Sequence, residues 1–452
     1  MQGSHAEQMG NAPIQKILWK LAIPGIVGML VNAIYNIVDT LFVGGLNNTQ
    51  AIGAVAVAFP LMMMVSSFGQ MFGIGANSYI ARLLGAGKKQ EADHVAATTF
   101  WTALVSGLVV TALGLIFMEP ILKLFGATAT IMPYAKGYSN VIVMFSTLFM
   151  INMTMNNMIR AEGNPKYSMI ALSAGAIINI ILDPIFIFTL GYGVQGAAIA
   201  TVIGQVCATG ILLSYYLRGK SLVHIGLKYV KPSKEIYTEV LKIGVPSFAR
   251  QVLISISMGM LNSAAMVFGD AAVAAMGVIM RVFSMALYVA FGFIQGFMPL
   301  AAFNYGAKKF DRLKEAISIS TRTLTILSTV AAVVMFFFAQ PIIAAFSRDP
   351  EVVAIGVKGL KYMTVLLPFF GFQMVWSTVF QSLGKGKEAM ILSMARQGIF
   401  LIPAILILPS WLGLAGVLLC QPVADFFTIL ITAPMALKEK KLLDGQMEFQ
   451  TA

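Results

Sequence analysis

Residues 177–188, IINIILDPIFIF, place Asn179, Asp183 and Pro184 in an otherwise apolar run. An ionised aspartate in bilayer hydrocarbon costs about 3 kcal/mol or more unless a partner, water or a cation compensates it. Such a residue reads as functional by default, and the rest of the chain reads as its scaffold.

The 452 residues are 58% hydrophobic and 11% charged, with a mean hydropathy of +0.82. That excludes an ordinary soluble domain and indicates a polytopic membrane protein. Apolar runs of roughly 20 residues, enough to cross a bilayer as a helix, recur from residue 17 to residue 437. Twelve spans are expected, those of the first half being 17–43, 54–80, 96–117, 137–158, 169–188 and 195–216. The opening MQGSHAEQMG is polar and carries no cleavable signal, and Met9 is a candidate native start.

The net charge of +12 does not indicate a nucleic-acid partner, because Lys and Arg gather in alternate loops. Lys16, Lys20, Arg82, Lys88, Lys89, Arg160, Lys166, residues 218–242, Lys308, Lys385, Lys387 and Lys438 fall on one side. Loops 44–51, 189–193 and 409–413 on the other side carry none, with Lys123, Arg348 and Lys358 as exceptions. The positive-inside bias puts both termini of this multi-pass membrane protein and the loop at 218–239 in the cytoplasm. Cys207 and Cys420 both lie in apolar runs, so neither a disulfide framework nor a metal cluster is expected.

An internal repeat of about 221 residues spans half the chain. Lys20-Leu-Ala-Ile-Pro24 recurs as Lys242-Ile-Gly-Val-Pro246, Glu119-Pro-Ile-Leu as Gln340-Pro-Ile-Ile, and Gly193-Val-Gln-Gly196 as Gly413-Leu-Ala-Gly416. Each half holds an even number of spans, so the repeats must be parallel. The expected fold is all-α: twelve transmembrane helices in two six-helix lobes related by a parallel pseudo-twofold, with a cavity between them. The expected organisation is an N-terminal tail at 1–15, an N-lobe at 16–217, a cytoplasmic linker at 218–239, a C-lobe at 240–437 and a C-terminal tail at 438–452.

Of the acidic residues, Asp39, Asp183 and Asp425 fall well inside spans. Asn32, Asn36 and Asp39, with Tyr35 beside them, are spaced to share a helix face, as are Asn179 and Asp183, and Thr201 and Gln205. Three polar stripes in one lobe are cheapest when they face each other. Such a cluster offers hard oxygen ligands for a small cation, and two carboxylates in a dry pocket can instead retain a proton. Pro184 leaves the Ile180 carbonyl without its helical donor. Helix-to-helix hydrogen bonding alone is the competing account of the Asn residues.

The motifs Tyr35-Asn-Ile-Val-Asp39-Thr-Leu-Phe-Val-Gly44, Arg82-Leu-Leu-Gly-Ala86, Arg160-Ala-Glu-Gly163, Asn179-Ile-Ile-Leu-Asp183-Pro-Ile185 and Gly193-Val-Gln-Gly-Ala-Ala198 resemble the multidrug and toxic compound extrusion (MATE) transporter family, in its bacterial MepA-like and DinF-like branches. The resemblance implies antiport, in which inward H⁺ or Na⁺ drives export of amphipathic, mostly cationic compounds by a monomer. It needs no cofactor beyond the coupling ion. It also implies a cation site, for Na⁺ or H⁺, at Asp39, Asn179, Asp183 and Thr201, with Tyr138 as a neighbour. The repeat partners of Asp39 and Asp183 are roughly Leu261 and Ala404, so coupling is expected in the first lobe.

The second lobe carries Arg250, Arg281, Arg322 and Arg396 with Gln251, Gln295, Gln373, Gln381 and Asp425 in or near its spans. Arg281, Gln295, Gln381, Arg396 and Asp425 are candidates for a C-lobe cavity, and Arg396 is expected to pair with Asp425. Three other functions were weighed. Gly85-Ala-Gly-Lys-Lys89 lacks the spacing of a nucleotide loop, which counts against a primary pump. Asp39 and Asp183 invite comparison with an aspartyl protease, but the duplicated frame and the Asn179 and Thr201 ligands count against it. A flippase for lipid-linked precursors, or an exporter of one secondary metabolite on the same fold, is the closest rival, and the flippase should show a strongly basic cavity.

Overall fold

The computed structural model describes residues 3–46 and 48–451, and among these it is helical with no strand. The chain begins with α1 (Gly3–Asn11), α2 (Ile14–Gly44), α3 (Thr49–Gly85), α4 (Lys89–Ile116) and a short α5 (Met118–Leu124). Next come α6 (Met132–Met144), α7 (Ser146–Ala161), α8 (Pro165–Pro184) and α9 (Gly193–Leu217). The second half runs α10 (Lys234–Met266), α11 (Asp270–Gly306), α12 (Phe310–Phe337), α13 (Ala339–Ala344), α14 (Pro350–Thr364), α15 (Leu367–Ser382), α16 (Gly386–Met394), α17 (Leu401–Leu412) and α18 (Leu414–Thr451). Among the described residues ten helices are long and apolar enough to cross a membrane, α16 and α17 counting as the single span Gly386–Leu412. Two bent pairs, α6 with α7 at 49° and α14 with α15 at 50°, bring the spans to twelve when each pair counts as one. Exposed Leu108 and Val330 belong to the apolar surface that such spans turn to lipid.

The repeat is visible in the packing. Helix α2 crosses α11, and α10 crosses α3. Because α10 and α11 are the repeat partners of α2 and α3, these crossings are one contact made twice, the pattern a twofold produces. Both rest on missing side chains. A Cβ on Gly25 would lie 2.3 Å from the Gly292 carbonyl oxygen, and one on Gly244 would lie 2.2 Å from that of Met71. Small residues let membrane helices pack at backbone contact.

These crossings all lie toward the end that carries residues 218–239, here called the linker end. Ion pairing and hydrogen bonds reinforce the junction there: Arg82 with Glu239 at 2.8 Å, Ser78 donating to the Gln381 carbonyl at 2.6 Å, and Arg160 donating to Gln295 at 2.7 Å. The expected N-terminal tail is the helix α1 and closes the same end. Met9 is buried, its carbonyl accepts from Asn304 and Arg312, and its sulfur lies against Gly163. Residues 1–2 and 452 of the expected tails lie outside the described residues. The C-terminal segment continues α18, with Lys385 paired to Glu439 and Lys314 to Asp444. At the far end Ile34 and Leu41 are exposed and Gly44 has open space around it. The halves are therefore joined at the linker end.

Residues 218–233 form an ordered strap over the first half. Trp101 donates to the Ile225 carbonyl and the Lys231 amide donates to Thr98. The Glu162 carboxylate, fully buried just past α7, receives Tyr215, Ser221 and the Leu222 amide at 3.1, 2.6 and 2.7 Å. Burial pushes its pKa up from 4.5 to about 7 against the lowering effect of those donors. Ser221 Oγ also lies 2.7 Å from the Val223 carbonyl. If its single proton goes there, a protonated Glu162 supplies the proton of the other bond.

Two expectations follow. A carboxyl whose folded pKa is raised favours the protonated fold, so its contribution is present below its ordinary pKa and is lost as pH rises to about 7. Hydrogen exchange, corrected for intrinsic rates, should show Leu222 and Val223 less protected at pH 8 than at pH 6, with little change in Glu162→Gln; equal protection at both pH values in the wild type would refute this. In the fold itself, α8 meets α9 where a Cβ on Gly204 would lie 2.5 Å from the Gly175 carbonyl oxygen, whereas Gly210 has nothing within 4 Å. Gly204→Val should cost about 1–3 kcal/mol and lower the apparent Tm in detergent relative to Gly210→Val; equal melting would show that the close approach is not what holds the pair.

Candidate functional site

The Gly175–Gly204 contact positions the site. Asn179 lies one turn beyond Gly175 on α8 and Thr201 lies just before Gly204 on α9, so the close approach brings their side chains together. Asn179 Nδ2 donates to Thr201 Oγ1 at 3.2 Å and to Asp183 Oδ1 at 3.3 Å. From α2, Asp39 faces Asp183 closely enough for the two carboxyls to interact, and Tyr35 reaches toward Thr201. Tyr138, buried on α6, sits within electrostatic reach of both carboxyls, and its hydroxyl meets Met62 Sδ at 3.4 Å. Thr201 is the ninth residue of α9, about 12 Å along the helix from its first residue.

Three buried oxygens in this cluster accept no hydrogen bond: Asp39 Oδ1, Asp183 Oδ2 and Asn179 Oδ1. Buried polar atoms are normally satisfied, so three orphans in one place make this cluster a candidate site for something the side chains do not supply. Among the described residues no group of three or more His, Cys, Asp and Glu could hold a metal ion. Two carboxylates, an amide oxygen and a hydroxyl instead make a hard, weakly charged donor set, suited to a monovalent cation or a proton. Directly after Pro184 the helix widens into a π-turn at Ile185–Thr189. Such turns recur at functional sites.

The structure divides the stripe expected on α2. Tyr35 and Asp39 turn toward α8 and α9, while Asn36 is exposed, donates to the Asn32 carbonyl at 2.7 Å and accepts from Thr40 at its own carbonyl. The reason is the i, i+4 spacing of each set: residues 35 and 39 lie on one line of the helix, residues 32, 36 and 40 on the next. Gln205 lies one turn beyond Thr201 and makes no hydrogen bond with the cluster. Met62 belongs to the run Met62–Met64, where methionines suit either an adaptable cavity or ordinary packing, and the sequence does not say that one of them meets Tyr138.

In the second half, Arg396 donates to Asp425 at 2.6 and 3.4 Å, and Asp425 also receives Gln421 at 3.0 Å. Arg396 lines a cleft beside the π-turn Ala395–Phe400. The other residues expected there lie elsewhere. Gln295 and Gln381 belong to the junction at the linker end, where polar groups between packed helices must be paired. Arg281 is exposed on α11.

Known proteins share this architecture. The MatE family profile matches residues 24–185 and again residues 246–407, once in each half. Multidrug export protein MepA of Staphylococcus haemolyticus (strain JCSC1435) is 30% identical over 93% of this chain and 94% of its own length. The protein of the same name from Staphylococcus aureus (strain MSSA476) is 28% identical over 96% and 98%. A solved structure described as the outward-facing conformation of a multidrug resistance MATE family transporter of the MOP superfamily matches with a TM-score of 0.92. It is 27% identical, over 97% of this chain and 98% of that one. A profile that fits both halves, and a relative this similar along nearly the whole length, place the chain in one family: it belongs to the MatE family.

Proposed function

We propose that this protein is a multidrug efflux antiporter in which H⁺ or Na⁺ entering at Asp39 and Asp183 drives export of amphipathic, mostly cationic compounds. The observation that carries this reading is the trio of unpartnered buried oxygens on Asp39, Asn179 and Asp183. The names of the MepA relatives and of the matching MATE structure support the export of drugs. The proposal takes the chain to be a transporter rather than an enzyme, a monomer in a bacterial inner membrane with the linker end in the cytoplasm, and the lobes to be residues 16–217 and 240–437.

The mechanism takes the end away from the linker to be the open one. A cation reaching the cluster from the open end offsets the charge of the carboxylate pair and lets α2 settle against α8 and α9. That movement withdraws Asp39 from the cavity and releases a positively charged substrate. Pro24, inside α2, removes one helical hydrogen bond and gives that helix a place to bend. Rocking about the glycine crossings then opens the linker end. A flippase for lipid-linked pyrophosphate would need several cations facing one cavity. The first-half cluster carries none, which favours export of cations.

Two predictions test this. In proteoliposomes, ethidium efflux should respond to an imposed pH gradient or to a Na⁺ gradient, and Asp39→Asn should lower the driven rate by about tenfold or more. Efflux under neither gradient would overturn the export reading. Asp183→Asn should likewise abolish the dependence on the coupling ion, and efflux that kept the wild-type ion dependence in this variant would remove Asp183 from the site.

A further inference from the structure

The first half holds a pocket of about 340 Å³ at the end away from the linker, between the α2–α3 loop, the start of α6 and the turn that leads from the π-turn Ile185–Thr189 into α9. Leu46, Tyr134, Gly137, Tyr192, Val194 and Gln195 line it, and among the described residues no charged side chain does. Tyr134, Tyr192 and Gln195 are exposed, so the pocket opens to the outside of the protein. Gln195 lies across from Gly137, where a Cβ would come within 3.8 Å of the Gln195 Cδ. The helices that end at this pocket, α2, α6 and α9, are the ones that carry Asp39, Tyr138 and Thr201.

The helical register joins the pocket to the carboxylate pair. On α9, Val194, Ala198 and Thr201 follow i, i+4, i+7 spacing; on α6, Tyr134 and Tyr138 are i, i+4; on α2, Val43 stands one turn beyond Asp39 and leads to Leu46. Each helix thus runs one line of side chains from the pocket to the cluster, about 10 Å along α9. What lies between is apolar: Val43, Val194 and Ala198 are buried in one cluster with Tyr138. A narrow apolar constriction between wet space and a polar site gates by wetting and drying. We propose that the pocket is the vestibule through which the coupling cation reaches Asp39 and Asp183, with Val43, Val194 and Ala198 as its gate. The uncharged lining neither repels a small cation nor holds it, and the Gln195 amide oxygen and the tyrosine hydroxyls can replace part of a hydration shell. Small side chains make the gate passable to water, a proton or Na⁺ and not to a drug-sized aromatic cation, so ion and substrate need not share a path. The inference rests on the reading of the carboxylate pair as the coupling site, and it adds the route by which the ion arrives.

The test times ethidium release. Purified full-length protein in detergent, with Cys207 and Cys420 changed to Ser, is loaded with ethidium and mixed rapidly with Na⁺ or with acid, and fluorescence reports both the rate of release and its final level. Coupling Gln195→Cys to a bulky maleimide should slow ion-triggered release by about tenfold or more and leave ethidium affinity, with and without the ion, within about twofold. The same label on Lys123→Cys, at the same end but outside the pocket, should change neither. Val43→Thr, which adds a hydroxyl to the gate, should hasten release, and an unchanged rate there would strike Val43 from the gate. An unchanged rate in labelled Gln195→Cys would overturn the proposal and send the ion through the space between the halves. Slowing matched by an equal loss of the ion's effect at equilibrium would also overturn it, by making the label a distortion of the cation site. A wild type whose ethidium binding ignores both ions would refute the coupling reading, and the vestibule with it, so the two failures are told apart.

Discussion

Two carboxyl groups that face each other across dry helices cannot both stay ionised without a third party. Their mutual repulsion and the loss of water act in the same direction. Asp39 on α2 faces Asp183 on α8, and the amide of Asn179 gives Asp183 a single donor. The remaining oxygens can be satisfied by a proton or by a small cation, and the two are alternatives for the same space. A positively charged substrate nearby competes with either. In the proposed mechanism the movement of α2 begins from a carboxylate pair that can be neutralised in more than one way.

The scaffold makes that competition consequential. Gly25, Gly244, Gly292 and Gly296 put backbone against backbone at the linker end, where the halves meet. In the proposed mechanism the far portion of α2, beyond those crossings, follows whichever charge Asp39 carries. One frame, used twice, has also been given two different polar centres. The first half places carboxylates beside a π-turn at Ile185–Thr189. The second places Arg396, with Asp425 as its partner, on a π-turn at Ala395–Phe400.

Much of this was legible in the chain itself. Asp183 in an apolar run, the repeat of Lys20-Leu-Ala-Ile-Pro24 at residues 242–246 and the i, i+4 spacing of Asn179 and Asp183 carry direct physical meaning, and the helices follow them. Other features depend on which helices become neighbours, and no local pattern encodes that. Gln295 and Gln381 look like cavity residues until the junction pairs Gln295 with Arg160 and the Gln381 carbonyl with Ser78. Glu162 sits in a short turn that would be exposed, and only the strap folding over it buries the carboxylate. The bends in α6–α7 and α14–α15 were not anticipated. In the first, Thr111 bonds Ser146 and Thr147 at the break, a polar cluster formed by packing that the sequence shows only as scattered hydroxyls.

The most direct test of the central claim measures competition at the carboxylate pair without transport. Ethidium binding to the purified protein would be titrated against Na⁺ at fixed pH, and against pH in Na⁺-free buffer, with Asp39→Asn alongside. The account predicts that one of the two ions weakens ethidium binding in the wild type, with its effect lost in the variant. Ethidium affinity independent of both ions, or an equal ion effect in Asp39→Asn, would contradict it.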